Sequence, residues 1–565
     1  MNPTPKNWQL AHRLTPEADQ ALHGYPPLMR QILFNRGYST HEQARNFLEA
    51  KSGFDTNPFQ LPDMQAAVER ILFAIEKQQK IAIYGDYDVD GVTATALLVQ
   101  VFNSLQADVV GYIPHRFEEG YGLNTAALSQ LKEEGVDLVI TVDCGIRSLE
   151  EARHARDIGL DLIISDHHNP GEELPEAIAV IDPKRVDSDY PEKNLAGVGV
   201  AYKLAAALAS KIEFSAHAQA EDYLDLVALG TVADLVPLIG ENRTLVRDGL
   251  SQLRQTRRQG IRSLMGIASI QPEKMTATDI GFGLGPRLNA AGRLDTATDA
   301  LHLLTTQDLL KAGEMAQQLE IQNRKRQSIT REIQAQAETL ALEEDPDAFL
   351  LFAAHPDFNA GVVGLAASRL TDQYYRPAVV GHTDGDYTRA SCRSISEFHI
   401  TEALDQCADL LEKYGGHAAA AGFTVHNKNL TELVARLKSL AAEQLSELDL
   451  RPTLTADLEL PLSALKPEVL EYLDWLQPTG YGNPQVAFIS RRLQVTNSRR
   501  VGKDQSHLKL SVTDGQLTFD AIAFRLGDWH DDMPPRIDLL YRFEVNEFRG
   551  RKTLQLNVRD IRPSQ

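Results

Sequence analysis

From residue 64 to about residue 187 the chain alternates short apolar runs with longer stretches whose apolar positions recur at helical spacing. Residues 80–84, 109–113, 137–142, 160–165 and 177–181 predict strands, and 124–134 and 148–157 predict helices. Such alternation predicts an α/β domain with a doubly wound parallel sheet, whose functional groups collect at the carboxyl ends of the strands. Ahead of it, residues 1–62 hold helical pieces at 27–36 and 40–48 among several prolines, a small helical preface. The α/β domain is expected over 63–250, its last part (197–250) being helical and at first alanine-rich. A helical connector follows over 251–345. Its long charged stretch from about 308 to 344 places Ile329, Ile333 and Leu340 on one face of a connecting helix. A second mixed α/β domain is expected over 346–448. The remainder, 449–565, carries strand patterns at 486–495, 507–512, 517–524, 539–546 and 553–558, a density that predicts a small β-barrel.

The most informative stretch is 81–95, IAIYGDYDVDGVTAT. A buried strand ends in Asp86, Asp88 and Asp90 at every second position, and a helical pattern then takes over from Val92. Carboxylates this close raise one another's pKa unless a cation holds them ionised. The bland alternative is a solvated acidic turn. A calcium loop of the EF-hand type is excluded, because its twelfth position would be Leu97 instead of Glu and a strand precedes it.

Composition adds exclusions. Hydrophobic residues at 43% and charged residues at 24% describe an ordinary globular chain of several domains. No apolar run reaches the length of a membrane span, and MNPTPKNWQL lacks the pattern of a secretory signal, so a cytoplasmic protein with no membrane partner is expected. Three cysteines without a CxxC argue against a disulfide framework and against zinc. The net charge of −21 means that any nucleic-acid partner needs a local basic track.

Three further motifs repeat the theme of the first. VITVDCGI (139–146) sets Asp143 after an apolar strand, LIISDHHN (162–169) sets Asp166, His167 and His168 after the next, and LVALGTVADLVPL (226–238) places Asp234 in an apolar run. Singly, Asp143 reads as a helix N-cap, the histidines as core residues, and Asp234 as the partner of a buried arginine. Jointly they describe a hard, oxygen-rich site for two divalent cations, Mn2+ or Mg2+. One carboxylate can bridge two metals about 3.5–4 Å apart, a pair that generates hydroxide at neutral pH and neutralises charge on a phosphoryl group. The chemistry indicated is phosphoester hydrolysis.

The motifs DYDVDG, VDCGI, DHH and GTVAD, in this order, resemble the DHH phosphoesterase superfamily. FEEGYGL (117–123), GPRLNAAGR (285–293), CRS (392–394), GGHAAAAG (415–422) and NEFRG (546–550) narrow the likeness to its bacterial exonucleases, which degrade single-stranded DNA from the 5′ end. The resemblance implies metal ligands Asp88, Asp90, Asp143, His167 and Asp234. Asp86 and His168 stand at the margin, supporting the ligands or acting chemically; His168 would orient the water or protonate the leaving 3′ oxygen. It also implies that the second α/β domain is DHHA1-like and clamps the strand. In that domain GVVGLAAS (361–368) makes a glycine turn into a helix N-terminus, an anion site or a simple helix entry, and His417 lies in a glycine-histidine turn; Ser391 and Arg393 there, with Arg287 and Arg293 of the connector, would bind phosphate. The barrel would be an OB-fold holding single strands. Its basic track is Arg491, Arg492, Arg499, Arg500, Lys503, Arg549, Arg551 and Lys552, with Phe488, Tyr541, Phe543 and Phe548 as stacking platforms. Cys144 stands where some relatives have Asn, and PTGYGNP (478–484) occurs in only some relatives and has no role in this reading.

The function expected is a 5′-to-3′ single-stranded-DNA exonuclease of recombination and repair, monomeric, with a single-strand-binding protein and a helicase as protein partners. The alternatives are a phosphodiesterase of short oligonucleotides or cyclic dinucleotides, against which the barrel argues, and a non-catalytic replication scaffold, against which the intact carboxylates and histidines argue.

Overall fold

The computed structural model describes residues 6–52, 56–116, 118–212, 219–548 and 550–564. It forms two compact units. One comprises Leu14–Asn323 together with Tyr472–Gln485, and the other Met1–Arg13, Arg324–Glu471 and Val486–Gln565.

The first unit is built on a parallel sheet of β1 (Ile81–Gly85), β2 (Val109–Tyr112), β3 (Leu138–Val142), β4 (Asp161–Ser165) and β5 (Ala179–Ile181). Their spatial order is β2–β1–β3–β4–β5, with Ile81 in register with both Val109 and Leu138. Alternate residues of each strand enter different cores. Ile81, Ile83 and Ile140 pack on one face, and Ala82, Val139 and Ile164 on the other. Covering both faces leaves the central strands with near-continuous apolar runs. Truncating one of these side chains, as in Ile140→Ala, would cost about 2–5 kcal/mol.

Helix α1 (Val89–Ser104) begins three residues before the apolar periodicity does. The cause is Asp88, whose Oδ1 accepts from the backbone N–H groups of Asp90 (2.8 Å) and Gly91 (3.2 Å) and so caps the helix. Asp90 is thereby drawn into the first helical turn. Helices α2 (Thr125–Glu133) and α3 (Leu149–Asp157) fall within the expected stretches. After β5 come α4 (Gly197–Ala209), α5 (Leu224–Ala233) and α6 (Gly240–Leu253). Of the four acidic motifs, the one at Asp234 follows a helix and not a strand end, in keeping with the helical reading of 197–250. The run that precedes it is α5, and Asp234 is its C-cap. This helix is buried on almost every side, so its sequence shows no helical periodicity. Arg287 and Arg293 lie on α7 (Gly285–Leu294).

Helix α8 (Leu309–Glu344) is a single helix of 36 residues, and the boundary between the units falls within it, after Asn323. In the second unit β6 (Leu351–His355), α9 (Val363–Tyr374), β7 (Ala378–Asp384), β8 (Tyr387–Arg393), β9 (Leu411–His417), β10 (Ala420–His426) and α10 (Asn427–Leu445) form a mixed α/β fold. Its sheet order is β9–β10–β8–β7–β6. The barrel strands are β11 (Phe488–Val501), β12 (His507–Thr513), β13 (Thr518–Ala523), β14 (Arg536–Phe548) and β15 (Arg551–Pro563). They run β11–β12–β13–β15–β14 and close by pairing β14 with β11, the strand order of an OB-fold. Asn7–Leu10 pairs in parallel with Thr453–Ala456 of the same unit.

Candidate metal centre

The carboxyl ends of β1, β3 and β4 and the C-terminus of α5 bring seven groups together. Asp86, Asp88 and Asp143 offer ligand atoms within 4.8 Å of one another, and so do Asp90, His167 and Asp234, and Asp143, His167 and His168. Asp143 and His167 each belong to two of these groups, an arrangement suited to a pair of cations with shared ligands. His167 Nε2 lies 3.0 Å from Asp143 Oδ1, 3.7 Å from Asp234 Oδ2 and 3.9 Å from Asp90 Oδ2. Asp86, placed at the margin by the sequence, lies in the same group as Asp88 and Asp143.

The backbone around the cluster is tightly built. Asp143 has φ = 64°, a left-handed conformation that costs a non-glycine residue on the order of 1–3 kcal/mol. Gly91 passes so close to Asp86 that a Cβ there would lie 2.5 Å from the backbone N and O of Asp86. A Cβ on Gly197 would lie 2.6 Å from the Cβ of Asp143. The first turn of α4 donates to Asp90, from Gly197 N to Oδ2 (2.7 Å) and from Val198 N to Oδ1 (2.8 Å).

Burial first, and neighbouring carboxylates second, push Asp86, Asp90 and Asp143 well above the usual carboxylate range. The same causes, with Asp88 the main neighbour, raise Asp234 to about 7. Burial and the adjacent His168 bring His167 down to about 3, which leaves a neutral imidazole fit to ligate. At His168 burial acts downward, but the 2.7 Å bond from Nδ1 to Asp166 prevails and lifts it to about 9. Among the described residues, Asp86 Oδ1, Asp143 Oδ1 and both ring nitrogens of His167 are buried without a partner at hydrogen-bond geometry, the 3.0 Å contact between His167 Nε2 and Asp143 Oδ1 included. Orphaned acceptors of this kind are costly unless a cation satisfies them. The donor set, oxygen-rich with one imidazole, fits Mn2+ or Mg2+.

Reading by sequence did not anticipate several supporting groups. Asp166 accepts from Ile146 N (3.0 Å), His167 N (2.7 Å) and His168 N (3.2 Å) and so fixes the turn carrying both histidines. The Tyr121 hydroxyl lies 3.5 Å from His168 Nε2, and the Arg116 guanidinium lies 4.7 Å from the Tyr87 ring centroid. The FEEGYGL motif signalled Tyr121 without revealing its partner; its Phe117 falls outside the described residues. Arg287 is ion-paired with Glu320 at 2.8 Å and donates to the Gly283 carbonyl. Arg293 lies in the last turn of α7.

In the second unit Ser391 and Arg393 stand together at the end of β8. A Cβ on Gly364, in the first turn of α9, would lie 3.2 Å from Arg393 Nη2 and 3.3 Å from Ser391 Oγ. His417 and Arg393 both pair with Ala420, which puts them in one row across the sheet. The barrel corrects one expectation. Phe488, Tyr541 and Phe543 are buried in its core and offer no stacking surface. Period-2 alternation marks two faces of a strand but does not say which lies inside. Part of the basic track is neutralised, Arg491 by Glu459 and Asp538 and Arg500 by Asp531. Arg549 lies outside the described residues.

A parallel sheet with acidic strand ends and a cluster of carboxylates and imidazoles suited to paired cations defines the class, a DHH phosphoesterase. Residues 80–231 match the DHH family, N-terminal domain, 347–443 the DHHA1 domain, and 456–560 the RecJ OB domain. The chain is 38% identical to the single-stranded-DNA-specific exonuclease RecJ of Bacillus subtilis, across 95% of this chain and 68% of that protein. With the Escherichia coli protein of the same name identity is 35%, across 98% of this chain and 99% of that protein. A crystal structure of RecJ from Thermus thermophilus in complex with Mn2+ superposes with a TM-score of 0.85 at 29% identity, over 99% of this chain and 80% of that one. The same enzyme with Mg2+ gives a TM-score of 0.79 at 28% identity, over 99% and 79% of the two chains. The chain belongs to the RecJ family.

Proposed function

We propose that the protein is a metal-dependent exonuclease of single-stranded DNA, working from the 5′ end, releasing 5′-mononucleotides and acting in recombination and repair. The observation that carries this reading is the convergence of Asp86, Asp88, Asp90, Asp143, His167 and Asp234, with buried acceptors left unpartnered, in a chain of the RecJ family. Asp88, Asp90, Asp143, His167 and Asp234 would hold the cations, with Asp86 beside them. A bound pair of divalent cations supplies an acidified water and positive charge opposite the phosphoryl oxygens.

The chain's own residues do the rest. Asp166 fixes the His168 imidazole through Nδ1 and leaves Nε2 to protonate the departing 3′ oxygen. The α4 N-terminus donates to both oxygens of Asp90, which aims that carboxylate and partly offsets the burial that raises its pKa. Ser391, Arg393 and the first turn of α9 form a compact set of donors suited to a terminal phosphate, a basis for 5′ polarity. The closed barrel, with Arg499 and Lys503 exposed, suits a polymer better than a dinucleotide. Among the described residues no helix is long and apolar enough to cross a membrane; the reading, carried over from the family resemblance, is of a cytoplasmic, monomeric enzyme that meets single-strand-binding protein and helicase on DNA. The test is degradation of end-labelled single strands with Mn2+. Mononucleotides should appear from the 5′ end, and release from the 3′ end or internal cuts would overturn the reading.

A further inference from the structure

The motif PTGYGNP, left without a role by the sequence, lies in a turn that belongs to the catalytic unit although it is far along the chain. Its anchor is Arg243 of α6, one of the most buried side chains in the protein, at 1% exposure. The guanidinium donates to five backbone carbonyls: Phe47 (2.8 Å), Trp475 (3.3 Å), Leu476 (2.9 Å), Gln477 (2.7 Å) and Pro478 (3.0 Å). Among the described residues no carboxylate is paired with it. A buried arginine without a counter-ion is tolerated only where fixed carbonyls satisfy every donor. Asn483 completes the turn, its amide donating to Leu476 O and Pro478 O, both at 2.8 Å.

What this turn touches is the loop leaving Asp234. Leu238 N donates to Tyr481 O at 2.8 Å. A Cβ on Gly482 would lie 2.8 Å from the Cβ of Pro237, and one on Gly480 2.7 Å from Leu238 Cδ1. From the other side Asn242 donates to the Pro237 carbonyl. The loop needs such support. Leu235, next to Asp234, has φ = 61° and an exposed side chain, so nothing in its own burial holds this unfavourable conformation.

We propose that residues 475–483, locked by Arg243, are a brace that sets the position of the Asp234 carboxylate, making Arg243 and Asn483 positioning residues for the metal site. The inference rests on the reading of Asp234 as a metal ligand. Removing groups that orient a ligand lowers metal affinity by about 10- to 100-fold.

The experiment is a Mn2+ titration of the full-length chain by calorimetry, with melting curves in parallel, on Arg243→Gln, Gly482→Ala and Asp234→Ala. Both brace variants are expected to bind the cation held by Asp234 about 10-fold more weakly well below their melting temperatures, while Arg243→Lys recovers part of the loss. Gly482→Ala adds a methyl group against Pro237 on an exposed turn whose φ of 73° it also strains, and with its melting curve as the check on folding it decides the matter if Arg243→Gln does not fold. Wild-type Mn2+ affinity in Gly482→Ala, alongside weakened binding in Asp234→Ala, would overturn the brace. Unchanged affinity in Asp234→Ala would instead overturn the ligand assignment.

Discussion

The N–H of Gly197 donates to the carboxylate of Asp90 at 2.7 Å, and the same glycine leaves no room for a side chain against Asp143. One residue thus serves two of the proposed metal ligands, by its backbone dipole for Asp90 and by its missing Cβ for Asp143. We predict that Gly197→Ala keeps the fold but displaces Asp143 and lowers the Mn2+-dependent rate about 10- to 100-fold, the range found when groups that orient ligands are disturbed. Steady-state rates alongside circular dichroism check this; a near-normal rate would mean that the backbone yields more easily than this packing implies.

Asp143→Ala should abolish hydrolysis with Mn2+ while leaving single-strand binding intact, because the carboxylate serves the cations and not the apolar core. Asp88 needs a different substitution. It also caps α1, and losing a cap costs about 0.5–2 kcal/mol, so Asp88→Asn separates ligation from folding. Turnover near the wild-type level in either variant would remove that residue from the ligand set.

The strand-end motifs were legible because the physics behind them is local. Apolar runs of strand length ending in Asp86–Asp88–Asp90, Asp143 and Asp166–His167–His168 fixed the sheet and most of the site. Asp234 was legible as a buried carboxylate but not as a helix cap, since α5 is apolar all round and shows neither period. The role of Gly197, the partner of Tyr121 and what the 475–483 turn touches were out of reach, because each acts across a long separation in sequence that one chain does not encode in spacing. The barrel aromatics were misread because alternation is symmetric between inside and outside.

The crowded carboxylates also predict a pH dependence. Asp234 is raised to about 7, and Asp86, Asp90 and Asp143 are raised as well. A carboxylate that holds its proton more tightly folded than unfolded stabilises the protein at low pH, and that contribution is lost as pH rises from about 4 through the folded pKa. The metal-free protein should therefore melt lower at about pH 8 than at about pH 6, and Mn2+ should raise the melting temperature more at the higher pH. A metal-induced shift larger at the lower pH would contradict the raised carboxylates.

Arg499 and Lys503 are exposed on the barrel, and among the described residues neither is ion-paired. Replacing each by Glu should weaken binding of long single strands and flatten the plot of log affinity against log salt by about 1 for each phosphate no longer neutralised. Unaltered affinity in the double variant would place the strand elsewhere on the chain.

Polarity needs a group that reads the end of the strand, and two cations alone do not supply one. Arg393 is half-buried, and burial lowers its pKa, yet among the described residues no carboxylate balances it. Its Nη1 donates to the Cys392 carbonyl at 2.8 Å. Ser391 and the first turn of α9 are its neighbours about Gly364, which cannot gain a side chain without crowding both. A planar guanidinium, a hydroxyl and a helix N-terminus together match a terminal phosphate, which carries more charge than an internal one. Arg393→Ala should thus lose about 1.5–3 kcal/mol, roughly 10- to 150-fold in affinity, on 5′-phosphorylated strands and much less on 5′-hydroxyl strands. The measurement compares rates on the two substrates, wild type against variant. An equal loss on both would make Arg393 a general backbone contact, and the end would then be read at another site.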